Sequence, residues 1–241
     1  MSKRSKYIVL GLCALTVLGL VDGLVRMLVN WGGIGFAVSV WACYGVVFAW
    51  LLVEPMVSAL VLSPMSDESV ESVEMSLIAS EIAMTMGINA PRVKVYAGDH
   101  FSAMTAGYGA GATIFLSRRV AGFDRDIVRA VVAHECGHIK LRHMEWRTLM
   151  LGSLLLLALI PSGLSLLVVF ANLFVLWAVR AMEFKADAAA AKAVGVENMC
   201  KALIQVREIV GEVPAWSLMF NSHPMFGQRL VGLGGTKVEF L

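Results

Sequence analysis

Val131-Val132-Ala133-His134-Glu135-Cys136-Gly137-His138 is the stretch on which the reading of this chain turns. On a helix, positions i and i+4 share a face, so His134 and His138 can bind one metal ion together. Glu135 follows His134 by about 100° of helical rotation, which brings its carboxylate within reach of a water at the metal without making it a ligand. The spacing is that of a hydrolytic zinc site. An amphipathic helix carrying two solvated histidines is the plainer alternative, and the rest of the chain decides between them.

Composition sets the surroundings. Of the 241 residues 58% are apolar and 16% charged, and the mean hydropathy is +0.75. Ordinary soluble domains are about half apolar, so this chain belongs with the membrane proteins, long enough for one sizeable domain plus an anchor. The net charge of +2 comes without a basic run or interleaved aromatics, which argues against a nucleic-acid partner. Cys13, Cys43, Cys136 and Cys200 form no Cys-x-x-Cys pair. They read as small buried hydrophobes rather than disulfides, with Cys136 pointing away from its flanking histidines.

Lys3, Arg4 and Lys6 precede an apolar region opening at Tyr7. That region has no small-residue cleavage site and continues into a second span, so it is not read as a signal peptide. Candidate transmembrane helices run over 7–28 and 34–53, near the roughly 20 residues a bilayer requires, with Asn30-Trp31-Gly32-Gly33 as the turn. Asp22 and Arg26 in the first span are four apart and can neutralise one another. The basic N-terminus predicts a cytoplasmic start, and two crossings return the chain to that side. Residues 1–55 are therefore expected to anchor a cytoplasmic domain spanning 56–241.

In that domain Ser66-Asp67-Glu68-Ser69 reads as a helix start, with acidic residues at the positive end of the dipole. Val70, Val73, Leu77, Ile78, Ile82 and Met86 keep helical spacing up to Gly87. Pro91 to Ala97 and Thr113 to Leu116 read as strands. Between them Ser102-Ala103-Met104-Thr105-Ala106-Gly107 reads as an edge strand, and 124–132 leads as a helix into the metal motif. The expected fold is mainly α with a small β-sheet.

Residues 149–179 carry no charge and are bracketed by Arg147 and Arg180. Length alone suggests one span. A third metal ligand from the chain beyond requires instead that the stretch enter and return, with Pro161-Ser162-Gly163 as the reversal and basic residues at both ends. As helices, the arms 149–160 and 164–179 reach only about 18 and 24 Å, short of a core of roughly 30 Å. Either the ligand-bearing helices extend into the membrane or the hairpin is shallow. Beyond it, Glu183 and Asp187 are also four apart. A catalytic zinc commonly takes three protein ligands, His₂Glu among them, so Glu183 is assigned as the third. Asp187, one turn on, is the expected acceptor for the other ring nitrogen of a ligand histidine.

The order His-Glu-x-x-His, apolar insert, Glu-x-x-x-Asp, then Ser222-His223-Pro224 and Arg229 resembles the HtpX-type membrane zinc endopeptidases, relatives of the CAAX prenyl proteases; Ile139-Lys140-Leu141-Arg142-His143 is also typical of them. The likeness covers nearly the whole chain. It implies a membrane-anchored, gluzincin-type metallopeptidase holding one Zn2+ on His134, His138 and Glu183, with Glu135 as general base. It implies that His223 stabilises the oxyanion and that Arg229 supports the site. Ser102 to Gly107 resembles the strand beside the family's catalytic cleft, although the family commonly has Asn where Ser102 stands and an aromatic where Met104 stands. An extended peptide could pair with it by strand addition.

The implied partners are protein or peptide substrates, above all membrane or misfolded proteins, and the lipid bilayer. The implied location is a bacterial inner membrane. A narrower processing enzyme of lipid-modified substrates and a non-catalytic zinc-binding scaffold are the rival readings. A scaffold has no need of a base at Glu135, and an intramembrane-cleaving protease would not surround the motif with Arg129, Lys140, Arg142 and Arg147. His143, five residues past His138, is expected to face off the ligand stripe, and it and His100 are read as structural.

Overall fold

A computed structural model of the chain describes residues 66–67, 70–98, 100–158, 165–211 and 224–234. The expected membrane helices over 7–28 and 34–53, the Asp22–Arg26 pair, the reversal at Pro161-Ser162-Gly163, Cys13, Cys43 and His223 lie outside the described residues. The chain divides into two compact units, 1–57 with 148–173 and 58–147 with 174–241. The second unit contains the sheet and the motif.

Alternating Val93 and Val95 make Arg92–Tyr96 a strand, β2, with those two side chains buried and its polar ones turned outward. It pairs in parallel with β4 (Thr113–Ser117), whose five residues are all buried as befits an inner strand. Short antiparallel strands flank them: β1 (Ser66–Asp67) on β2 and β3 (Ala103–Ala106) on β4. The order β1-β2-β4-β3 leaves β3 at an edge, as read from the sequence. Ser117 ties down the entry to β3: its backbone N–H donates to the Ser102 carbonyl (2.9 Å), and its Oγ accepts from the Ser102 N–H (3.2 Å).

Helix α1 (Val70–Met86) packs on β2 and on the motif helix. Here the sequence reading needs two corrections. Ser66 and Asp67 do not begin the helix; they pair with Tyr96 and Val95 as β1. The buried face of α1 is Met75, Ile78, Ala79, Ile82, Ala83 and Met86, while Val73 and Leu77 stand more than half exposed. Apolar residues lie on more than one side of α1, so spacing offers two stripes. Contact with β2 and the motif helix selects one.

After the short α2 (Arg118–Ala121), whose start is capped by the Ser117 side chain, α3 (Arg125–Lys140) carries the motif. Nine of its residues are buried, so it runs through the core and its polar motif residues must find partners there. The chain breaks after Lys140, with Arg142 in the left-handed region at φ 55°, and restarts as α4 (His143–Ala158). One helix, α5 (Ser165–Val194), contains Glu183 and Asp187, and α6 (Val196–Val210) and α7 (Phe226–Gly232) follow. The described residues of the two arms, 149–158 and 165–179, are thus helical. Only the helix of Glu183 continues into its arm; the motif helix stops short of the other. Among the described residues no helix is long and apolar enough to cross a membrane. The architecture is mainly helical with a small mixed sheet.

Candidate active site

Three side chains converge on one point. His134 Nε2 lies 3.1 Å from His138 Nε2, and these atoms lie 3.6 and 3.5 Å from the Glu183 carboxylate oxygens Oε2 and Oε1. The three residues can hold a metal ion, their ligand atoms all within 4.8 Å of one another. Gly137 makes the approach possible. A Cβ there would come 2.9 Å from the Ala186 carbonyl oxygen and 3.1 Å from its Cα, so only glycine lets α3 lie this close to the backbone of α5.

The rings are oriented from behind. Asp187, almost wholly buried, accepts from His134 Nδ1 at 2.8 Å, which leaves Nε2 with its lone pair for a metal. Arg229 grips the same carboxylate in bidentate fashion, Nε to Oδ2 at 2.7 Å and Nη2 to Oδ1 at 2.6 Å. Its Nη2 also lies 3.4 Å from His134 Nδ1. Burial works against the charge on Asp187, yet the bonds from Arg229 and His134 outweigh it and hold its carboxyl below the usual range. Burial, with His134 next to it, pushes His138 down to about 3, so its imidazole is neutral and able to act as a ligand near neutral pH. Two nitrogens and one carboxylate with oriented tautomers form a donor set that fits zinc.

Glu135 stands about 100° of helical rotation from His134. It lines a cleft of about 440 Å³ together with His134, Glu183 and Arg229, and an apolar wall of α6 that includes Leu203 closes one side. Thr105 on β3 donates its hydroxyl to Glu135 Oε2 at 2.7 Å. Of the expected substrate strand, Ser102 and Ala103 line the cleft; Met104, Thr105, Ala106 and Gly107 are not among its described lining residues. Gly107 ends the strand at φ +89°, where a Cβ would meet the Gly111 carbonyl oxygen at 2.9 Å. Cys136 is fully buried away from the ligands, and burial, with the Glu135 charge, pushes its thiol up to about 12.

The sequence profile of peptidase family M48 matches residues 69–237, which include every one of these side chains. The chain belongs to peptidase family M48. Its M48 relatives include a "Protease HtpX homolog" of Janthinobacterium sp. (strain Marseille), 26% identical over 235 residues, covering 78% of this chain and 81% of that one. A "Protease HtpX" of Nitrosococcus oceani is 26% identical over 197 residues, covering 63% of this chain and 67% of the relative. Among solved structures the fold resembles that of S. mikatae Ste24p, with a TM-score of 0.55 and 16% identity. The match covers 96% of this chain and 66% of Ste24p, so the chain spans just under two thirds of that protein. As an HtpX-type member of M48 the chain is a metallopeptidase.

One residue read as structural belongs with this M48 site. His143 is buried, and its Nδ1 lies 2.9 Å from His138 Nδ1, the rings meeting edge to face at 4.9 Å. The expectation that it faces off the ligand stripe assumed one continuous helix. The break at Leu141 and Arg142 turns the chain instead, and α4 begins by swinging His143 back beneath His138. Burial is the main cause that brings its pKa down to about 4, so it is neutral. Nothing in the local sequence marks this break, since lysine and arginine are both good helix formers. His100, by contrast, is exposed in a bend.

Proposed function

We propose that this chain is a membrane-anchored zinc endopeptidase, with His134, His138 and Glu183 as ligands and Glu135 as general base. The observation that carries the reading is the convergence of those three donors beside a cleft that His134, Glu183 and Glu135 line. Zinc, when bound by that set, supplies Lewis acidity that makes water nucleophilic near neutral pH. Glu135 takes a proton from the attacking water and returns it to the leaving amine. Asp187 and Arg229 keep His134 in one tautomer throughout. His223 is assigned the oxyanion donor on family likeness.

Substrates are proteins or peptides in extended form, pairing with the outer edge of β3; Ser102 and Ala103 at the cleft support this. Backbone pairing makes weak sequence demands, which suits removal of misfolded or membrane proteins. Exposed Trp146, Leu149, Phe174 and Trp177 on α4 and α5 support contact with a bilayer, with residues 1–55 and 149–179 as anchor and the remainder facing the cytoplasm of a bacterial inner membrane. A zinc scaffold without catalysis leaves Glu135 in the cleft unexplained.

Casein cleavage by the purified full chain tests the reading. Turnover is expected to require zinc and to vanish in Glu135→Gln with zinc retained; undiminished turnover in that variant refutes it. Glu183→Ala is expected to lose zinc, so one zinc per chain in that variant overturns the ligand assignment. A topology reporter fused after residue 187 should score cytoplasmic, and an external score rejects the proposed orientation.

A further inference from the structure

We propose that Thr105 is the positioning residue of the general base, holding the Glu135 carboxylate in the orientation that proton transfer needs. The inference rests on the peptidase reading above. Its geometric basis is the bond from Thr105 Oγ1 to Glu135 Oε2, 2.7 Å long, between two side chains that are only 9% and 7% exposed. A hydroxyl donating to a carboxylate oxygen makes a bond of the stronger kind whenever that carboxylate is charged.

Both ends of the bond are fixed. Thr105 stands opposite Ile114 in the β3–β4 ladder, and a β-branched side chain has little freedom about χ1. Strand alternation puts it on the same face as Ala103, which lines the cleft. Glu135 lies in the most buried part of α3. A glutamate otherwise has three rotatable bonds, and its last torsion is broad. Anchoring Oε2 removes that freedom, and proton transfer requires heavy atoms within about 2.6–3.2 Å. The arrangement also joins two functions on one strand. The edge on which an extended substrate would pair is the element that holds the base, so docking on β3 and alignment of Glu135 are mechanically linked. Val would fill the same volume as Thr without the donor, and Ser would keep the donor without the methyl group.

The test compares Thr105→Val, Thr105→Ser and Glu135→Gln in the full chain with a quenched peptide. Thr105→Val is expected to lower kcat about tenfold, with KM within about twofold and zinc stoichiometry unchanged, and Thr105→Ser to recover most of the loss. Wild-type kcat in Thr105→Val, or equal losses in the Val and Ser variants, overturns the proposal while leaving the peptidase reading intact. A readout independent of turnover comes from zinc-free protein. Thr105→Val should lower the melting temperature, and the same change in a Glu135→Leu background should not; equal shifts in the two backgrounds overturn the proposal. If Val at this site prevents folding, Thr105→Ala replaces it with the same outcomes. Undiminished cleavage by Glu135→Gln is the separate result that removes the peptidase reading, and this inference with it.

Discussion

Gly137 lies against the backbone of Ala186 so closely that a Cβ would come 2.9 Å from its carbonyl oxygen. The contact joins the motif helix to the helix of Glu183 one residue before His138 and three residues after Glu183. Inside a helix, alanine is ordinarily better than glycine by roughly 0.5–1 kcal/mol, but here the backbone of a second buried helix must move to admit it. Gly137→Ala is therefore expected to separate Glu183 from the histidines. A chelator-competition assay should find zinc bound at least about tenfold more weakly, the size of effect known for changes one shell out from a metal. Wild-type affinity would show that the helices do not need this approach.

Asp187 and Arg229 form a buried bidentate pair. Removing one partner of such a pair strands the other and typically costs about 3–5 kcal/mol. Asp187→Asn should thus lower the melting temperature of the detergent-solubilised protein sharply. The double variant Asp187→Asn with Arg229→Met should be less destabilised than the sum of its parts. Strict additivity would mean the two act independently.

His143 touches His138 through Nδ1. If His138 gives Nε2 to the metal, its Nδ1–H must donate and His143 Nδ1 must accept. His143→Leu is expected to weaken zinc binding by about 10–100-fold, and His143→Asn, whose Oδ1 takes nearly the place of Nδ1, to restore much of it. Equal affinities in the two variants would reduce His143 to a packing residue.

Cys136 is fully buried, with its thiol pushed up to about 12. Maleimide at pH 8 should leave it unmodified in the native protein and label it after denaturation, read by peptide mass spectrometry. Rapid labelling without unfolding would place this face of α3 at the surface.

Much of the site was legible because its chemistry is local in sequence. His134 and His138 share a helix turn, as do Glu183 and Asp187, and i,i+4 spacing carries through to the structure with little dependence on packing. β2, β3 and β4 lie within one residue of the predicted strands, since alternation and turn residues act over a few positions. Other features escaped for an equally physical reason. The buried stripe of α1 depends on which neighbour the helix meets, and β1 exists only because Val95 and Tyr96 offer an edge to Ser66 and Asp67.

By itself, then, the sequence determined which donor residues share a helix face and which carboxylate stands beside them, because helical periodicity places i and i+4 together whatever the helix packs against. Tertiary structure decided what surrounds those groups. Gly137 meets Ala186, Arg229 reaches Asp187, Thr105 reaches Glu135, and His143 turns back to His138. Each of these depends on how elements pack or where a helix breaks, and no spacing rule carries that information.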